Sequence, residues 1–376
     1  MSEPRDYSTT PGGTPESADT PRPSGGDESA QKSRRLSRRG WTLVCSGVLV
    51  VAFILVGALV RVPYVALGPG PTYDTLGAVD GQQVVSVNGQ RTYPTQGELR
   101  MTTVSLNDDV TLFGALGLWI SGRYAVAPRE DYFRPGESDE DVRKENVQQF
   151  QDSQSNAEVA ALRRLGYPVK VIVQQVVSGS PADKVLTPGD RLLEVNGRRI
   201  TNQDDVLTAL EGTRPGQTVS LKVQSDGKPE RTDTITLGQH PDGQPQGFVG
   251  MQAVDRADVP FQVNIALEDV GGPSAGLMFA LAIVDRMTPE NLVAGEDVAG
   301  TGQITSKGQV VEIGGISFKL VAAREAGATA FLVPAGNCAE AVASAPEGLK
   351  LIKVSDLNGA ISALEDLKSG RPAPSC

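Results

Sequence analysis

The chain has 376 residues, 39% of them hydrophobic and 21% charged, which suits about two globular domains plus appendages. Its net charge of −10 speaks against nucleic acid as a partner, because phosphate binding needs clustered Lys and Arg facing the ligand. The histidine count excludes more: His240 stands alone, whereas zinc hydrolysis and Ser-His-Asp or Cys-His catalysis need positioned imidazoles. A hydrolase built on this chain would draw on Lys or a carboxylate as its base, and the cysteines (Cys45, Cys338 and Cys376) form no metal motif. No metal and no cofactor is expected.

Residues 1–31 are rich in Pro, Gly, Ser, Thr and acids and cannot bury enough apolar surface to offset their ordering entropy. The segment 1–40 is therefore expected to be a disordered tail. It ends in a basic cluster, Lys32, Arg34, Arg35, Arg38 and Arg39, after which Trp41 to Val60 runs 20 residues without a charge. As a helix this stretch measures about 30 Å, the thickness of a bilayer's hydrocarbon core. Five basic residues before it against Arg61 after it place the N-terminus in the cytoplasm and the rest outside a cell membrane crossed once. The long leading segment and the lack of a clean A-x-A site favour an uncleaved anchor over a signal peptide. If the C-terminal end is extracytoplasmic, Cys338 and Cys376 could pair as a disulfide; two free thiols are the alternative.

Val84 to Tyr93 reads as a hairpin turning at Asn88-Gly89, and Gly97 to Ser105 alternates as a strand. Ser138 to about Leu165 is helical in pattern: Ser138 with Asp141 resembles a capping box, Gly166 is a plausible stop, and the acids 137–141 make a solvated helix start. Short β segments fill 166–250, including a second Val-Asn-Gly hairpin from Leu192 to Ile200. The remainder mixes strands with apolar helices.

Two segments carry chemistry. Gly271-Gly-Pro-Ser-Ala-Gly276 introduces a helix from Ala275 to about Asp285, with Leu277, Met278, Ala280, Leu281 and Ile283 on its apolar face. A hydroxyl there sits among unpaired N–H groups at the positive end of the helix dipole, the donors a tetrahedral oxyanion needs. Ser274 can be an N-cap or a nucleophile on this motif alone. A Gly-rich loop before a helix can also cradle phosphate, and G-G-P-S-A-G is similar to the phosphate loop of galactokinase-type kinases. The chain holds no G-x-x-x-x-G-K-[ST], which excludes a P-loop ATPase. Downstream, Ala299 to Gly327 reads as a hairpin, a Gly-Gly turn and a helix bearing Lys319, with Ala322, Ala323 and Ala326 making one face apolar. Lys319 either snorkels or is held dry; a dry amine would lose pKa and could take a proton from serine.

Together these segments resemble the proteolytic domain of the Lon protease family. In that family the nucleophile is the Ser of P-S-A-G, matched by Ser274, and the base is the lysine of G-G-x-x-x-K, matched by Lys319. A Thr in the T-G-[EQ]-I strand contacts the lysine; Thr301 takes that place. The resemblance covers roughly 250–365 and extends to 68–165 as a first half. The chain departs from it at Gly271, where many Lon proteins carry Asp, in lacking the upstream His of bacterial Lon, and in lacking the ATPase ring module. Residues 166–250 resemble a PDZ domain of the bacterial protease type, on the run S-P-A, P-G-D and V-N-G between Val177 and Gly197. Such domains bind an extended C-terminal peptide by strand addition. Gly166, Tyr167, Pro168 and Val169 occupy the place of the carboxylate loop, with one donor missing at Pro168.

The arrangement resembles the membrane-anchored PDZ-Lon proteases of Gram-positive bacteria. It implies an α+β Lon-like proteolytic domain with a β-rich PDZ insertion, divided as tail 1–40, span 41–60, first half 61–165, PDZ 166–250 and core 251–370. The implied activity is ATP-independent serine endopeptidase cleavage of unfolded or flexible extracytoplasmic proteins. Ser274 would be acylated, Lys319 would serve as base, Thr301 would orient the amine, and the N–H groups of Gly272 and Ser274 would hold the oxyanion. A homo-oligomer is possible. The rivals are a kinase and a catalytically retired PDZ scaffold of the cell envelope.

Overall fold

The structure is a computed structural model and describes residues 37–376 apart from 134, 135, 137, 268 and 269. Most of the tail expected to be disordered, up to position 36, lies outside the described residues, as does Glu137 of the acidic stretch. Two compact units are present, one ending at Val56 and one running from Gly57 to Cys376. Helix α1, Arg38–Leu59, holds the apolar run, and its side chains are exposed almost throughout. Among the described residues it is the one helix long and apolar enough to cross a membrane.

From Gly57 onward the chain forms strand β1 (Tyr64–Asp74), β2 (Glu98–Asn107), helix α2 (Leu112–Ile120), β3 (Ala125–Pro128) and helix α3 (Asp139–Arg164). A β-rich stretch follows: β4 (Val169–Val176), β5 (Arg191–Val195), helix α4 (Gln203–Leu210), β6 (Thr218–Gln224), β7 (Arg231–Thr236) and β8 (Met251–Ala257). Last come α5 (Gly276–Met287), β9 (Asp297–Gly300), α6 (Ile316–Glu325), β10 (Ala330–Pro334), α7 (Cys338–Ala343), β11 (Lys350–Val354) and α8 (Leu357–Lys368).

The long strands make two sheets. One has the order β11-β10-β9-β2-β1-β3, the other β7-β6-β5-β4-β8. The first sheet is assembled from both ends of the chain: β1 to β3 precede the second sheet in sequence and β9 to β11 follow it. Its halves meet where β2 and β9 pair in parallel, with Leu99 opposite Val298 and Met101 opposite Gly300. This junction positions the site, because Thr102 follows Met101 on one strand and Thr301 follows Gly300 on the other.

Local signals work as the residues dictate. Ser138 accepts from the Asp141 N–H at 3.2 Å and caps α3. Asn196 and Gly197 take positive φ, 52° and 72°, and turn the hairpin between β5 and Arg198–Arg199. The other expected hairpin does not form. Val85–Asn88 pairs instead with Gln262–Ile265, far along the chain. The Tyr93 N–H is committed to the Arg286 carbonyl and Pro94 has none to give, so the return strand loses donors where it would have to extend.

Helix α5 is buried on every side from Gly276 to Arg286 rather than along one stripe. It lies between the first sheet and α3, where Phe279 meets Phe150 edge-on at 5.8 Å between ring centroids. Cys338 and Cys376 are bonded, tying the C-terminus to α7, while Cys45 is free. Truncating Phe279, which is fully buried, to Ala should destabilise the folded chain by about 3–5 kcal/mol. Adding Phe150→Ala should then cost less than it does alone, because the edge contact is already lost. Urea unfolding of the detergent-solubilised chain measures both; full additivity would show that the rings do not share an interaction.

Candidate active site

Ser274 lies just ahead of α5, in a loop that small residues allow to fold back on its neighbours. Gly272 adopts φ +82°, a conformation L side chains resist. At Gly276 a Cβ would come within 2.8 Å of both Ile304 Cγ2 and Ser153 Oγ, so only glycine lets the helix start this close to the hairpin and to α3. The loop is held from outside: Ser153 Oγ on α3 donates to the Pro273 carbonyl at 2.9 Å, and the Gly302 N–H donates to the Ser274 carbonyl at 2.8 Å.

Lys319 projects from the start of α6, which follows Gly315 at φ +69°. Its Nζ lies 2.7 Å from Ser274 Oγ, 3.0 Å from Thr301 Oγ1 and 3.2 Å from the Thr102 carbonyl oxygen. Thr301 donates its own hydroxyl hydrogen to the Ser274 carbonyl at 3.0 Å. The side chain is 2% exposed, and burial pulls the ammonium pKa down to about 7. Among the described residues no carboxylate pairs with it. A neutral amine satisfies the whole set: its two N–H groups suit the Thr102 carbonyl and Thr301 Oγ1, and its lone pair faces the Ser274 hydroxyl.

The three side chains singled out in the sequence thus come together, at the edge of a cleft of about 510 Å³. Thr102, Thr103, Val104, Val270 and Ile313 line it with Ser274 and Lys319. The Thr102 carbonyl was not foreseeable, since a main-chain oxygen leaves no signature in residue type. Two other expectations meet a different geometry. The Gly272 N–H donates to the Asn146 carbonyl at 3.0 Å and is not free for an oxyanion, which leaves the Ser274 N–H as the remaining candidate. Gly166, Tyr167, Pro168 and Val169 form the turn from α3 into β4 rather than a carboxylate cradle. There the Gly166 and Tyr167 N–H groups satisfy the Arg163 and Leu162 carbonyls, and Pro168 has no N–H. Tyr167 packs on Phe261 and accepts from Gln90.

A groove does exist in the second sheet, at its β8 edge. Val206, Leu207 and Leu210 of α4 line it with Gly247 to Ala253 and His240. Gly250 takes φ +82° where this strand begins. The Gly247-Phe-Val-Gly250 run, an apolar pair between glycines, was the signal in the sequence for this turn.

Residues 142–236 match the PDZ domain model, and residues 254–364 match that of the Lon protease (S16) C-terminal proteolytic domain. The chain is 40% identical over 96 residues to a Lon protease of Rhizobium meliloti, a match covering 26% of this chain and 12% of that protein. It is 27% identical over 201 residues to Lon protease 1 of Sorangium cellulosum, covering 47% of this chain and 24% of that one. The chain therefore spans less than a quarter of the length of these curated relatives. The solved PDZ domain of an SdrC-like protein from Listeria monocytogenes is 25% identical, covers 22% of this chain and 86% of that one, and gives a TM-score of 0.20. With a PDZ domain ahead of a serine-type proteolytic domain of the Lon class, the chain has the domain pair of a PDZ-Lon protease.

Proposed function

We propose that the chain is an ATP-independent endopeptidase in which Ser274 and Lys319 form the catalytic pair, anchored by α1 with its catalytic unit outside the cytoplasm. The observation that carries this reading is the 2.7 Å approach of a dry lysine amine to a serine hydroxyl at a cleft wall. The neutral amine takes the Ser274 proton as Oγ attacks the peptide carbonyl, and the Ser274 N–H supports the developing oxyanion. The ammonium then protonates the departing amine, and the acyl-enzyme is hydrolysed by water deprotonated by the same lysine. Thr301 and the Thr102 carbonyl hold Nζ in place throughout. The chain carries no P-loop motif, so substrates are extended or flexible proteins that need no unfolding engine. The basic cluster ahead of the apolar run supports the orientation.

The groove between α4 and β8 suits the peptide-presenting role better than residues 166–169 do. β8 is the edge strand of its sheet and can accept an added strand, with apolar side chains of α4 opposite.

Ser274→Ala should lower kcat on an unfolded protein by about a thousandfold or more, without loss of fold. Normal turnover in that variant, measured with no ATP present, would exclude the mechanism.

The lysine adds a pH signature. Only the neutral amine is active, so kcat/KM should climb through about pH 7 and then level off. The pKa of Lys319 is lower in the folded than in the unfolded chain. The penalty of burying its charge is therefore fully present below about pH 7 and fades as pH rises toward the unfolded pKa. Lys319→Met escapes that penalty. Its stability advantage over the native chain should shrink by about 1.4 kcal/mol per pH unit above neutrality. A difference independent of pH, followed by urea midpoints, would show a lysine of ordinary pKa.

Leu207→Glu places a charge on the exposed wall of the α4 groove. It should raise KM for protein substrates severalfold and leave cleavage of short peptides unchanged; equal kinetics on both would remove the groove from substrate selection.

A further inference from the structure

Away from the cleft, α2 presents the most unusual surface of the catalytic unit. Its sequence, Leu112-Phe-Gly-Ala-Leu-Gly-Leu-Trp-Ile120, contains no charge. Ala115 is its one buried residue, packed with Leu118 against Ala66 and Val126 of the sheet. Every large residue on the outward sides is exposed: Leu112, Phe113, Leu116, Trp119 at 63% and Ile120 at 69%. A helix resting on a protein and facing water carries polar residues on its outer face. This one carries aromatic and aliphatic side chains there, the surface of a helix that meets something apolar.

Its position says what that is. Where the apolar run of α1 ends, Arg61 bridges to Thr111, and the Val62 N–H donates to the Val110 carbonyl at 3.0 Å. Thr111 is the N-cap of α2, its Oγ1 accepting from Gly114. One turn earlier, a Cβ at Gly57 would fall 2.6 Å from the Phe113 ring, so the last turn of α1 and the first turn of α2 lie in contact. The exposed face therefore begins at the level where the run of apolar residues stops. A nine-residue helix reaches about 13 Å, too short to cross a hydrocarbon core of about 30 Å. Trp119 favours the boundary between acyl chains and headgroups, where an indole keeps its ring in an apolar layer and its N–H wet. Three ion pairs, Arg61 with Asp109, Arg129 with Asp108 and Arg123 with Glu325, give this end of the unit a charged rim suited to the hydrated headgroup layer.

We infer that α2 is a second membrane contact, inserting Phe113, Leu116, Trp119 and Ile120 into the interfacial layer of the leaflet from which α1 emerges. The inference rests on reading α1 as a membrane span. A single span leaves the catalytic unit free to swing about its exit point. A helix seated in the interface beside it fixes the tilt. β1, which carries α2, pairs with β2, whose Thr102, Thr103 and Val104 line the cleft, so the orientation of the cleft above the bilayer is set by this contact.

The chain has two tryptophans, Trp41 and Trp119, which makes the test direct. The full chain is reconstituted into phosphatidylcholine–phosphatidylglycerol vesicles containing lipids brominated at shallow or deep acyl positions. Trp41→Phe leaves Trp119 as the only reporter; Trp119→Phe leaves Trp41 to report on α1. Trp119 emission should be blue-shifted and lose most of its intensity to shallow bromines, with less loss to deep ones. Quenching of Trp41 but not of Trp119 would overturn the inference while keeping the anchor. Unquenched Trp119 emission that is nevertheless blue-shifted would assign the face to a second copy of the chain instead. Absence of quenching at both positions would remove the span and the interfacial contact together.

Discussion

The arrangement of the catalytic unit follows from keeping one lysine amine dry. An ammonium removed from water without a counter-charge is disfavoured, and Lys319 has neutral hydroxyls and a carbonyl around it, with burial lowering its pKa to about 7. Such a site needs walls on every side. α6 supplies the lysine itself, the β2–β9 junction supplies Thr102 and Thr301, and the loop ahead of α5 supplies Ser274. Each wall comes from a different part of the chain, and the strands that meet at that junction are separated in sequence by the whole second sheet. The stability lost to the buried amine has to be offset elsewhere, and α5, buried from Gly276 to Arg286 between sheet and α3, is the evident source.

How much of this could be read from residues alone depends on what kind of atom does the work. G-G-P-S-A-G and G-G-x-x-x-K were legible because the geometry demands small residues at fixed spacing, and the structure gives three of their glycines a steric reason: a positive φ at Gly272 and Gly315, a close approach at Gly276. Ser138, Asn196 and Gly197 were legible for similar local reasons. Roles played by main-chain groups were not. Whether the Gly272 amide is free depends on the Asn146 carbonyl, and whether residues 166–169 can cradle a carboxylate depends on the last carbonyls of α3. Neither partner announces itself in sequence. The Val84–Tyr93 hairpin failed likewise, because Gln262–Ile265 offered a better-matched strand than the proline-bearing stretch next door. The pairing of Cys338 with Cys376 was one of two open readings, and the fold brings their Cα atoms to 5.2 Å.

Helix α3 connects the second sheet with the loop that carries Ser274. On one side Ser153 and Asn146 hold the Ser274 loop by the Pro273 carbonyl and the Gly272 amide. On the other, Asp152 accepts from Gln174 on β4, and Arg163 pairs with Asp255 on β8, which also accepts from Ser306 in the hairpin near Lys307.

That linkage limits how the parts can be exchanged. A recombinant chimera that imports a foreign sheet between β4 and β8 would inherit a Ser274 loop whose supports, Ser153 and Asn146, grow from a helix fitted to the original sheet. Transplantation has to carry α3 and the second sheet as one piece, with Asp152, Arg163, Gln174 and Asp255 travelling together. Natural recombination faces the same restriction, so variation in the second sheet is channelled into the groove face of α4 and the Gly247–Gly250 turn, where side chains can change without touching the helix that steadies Ser274.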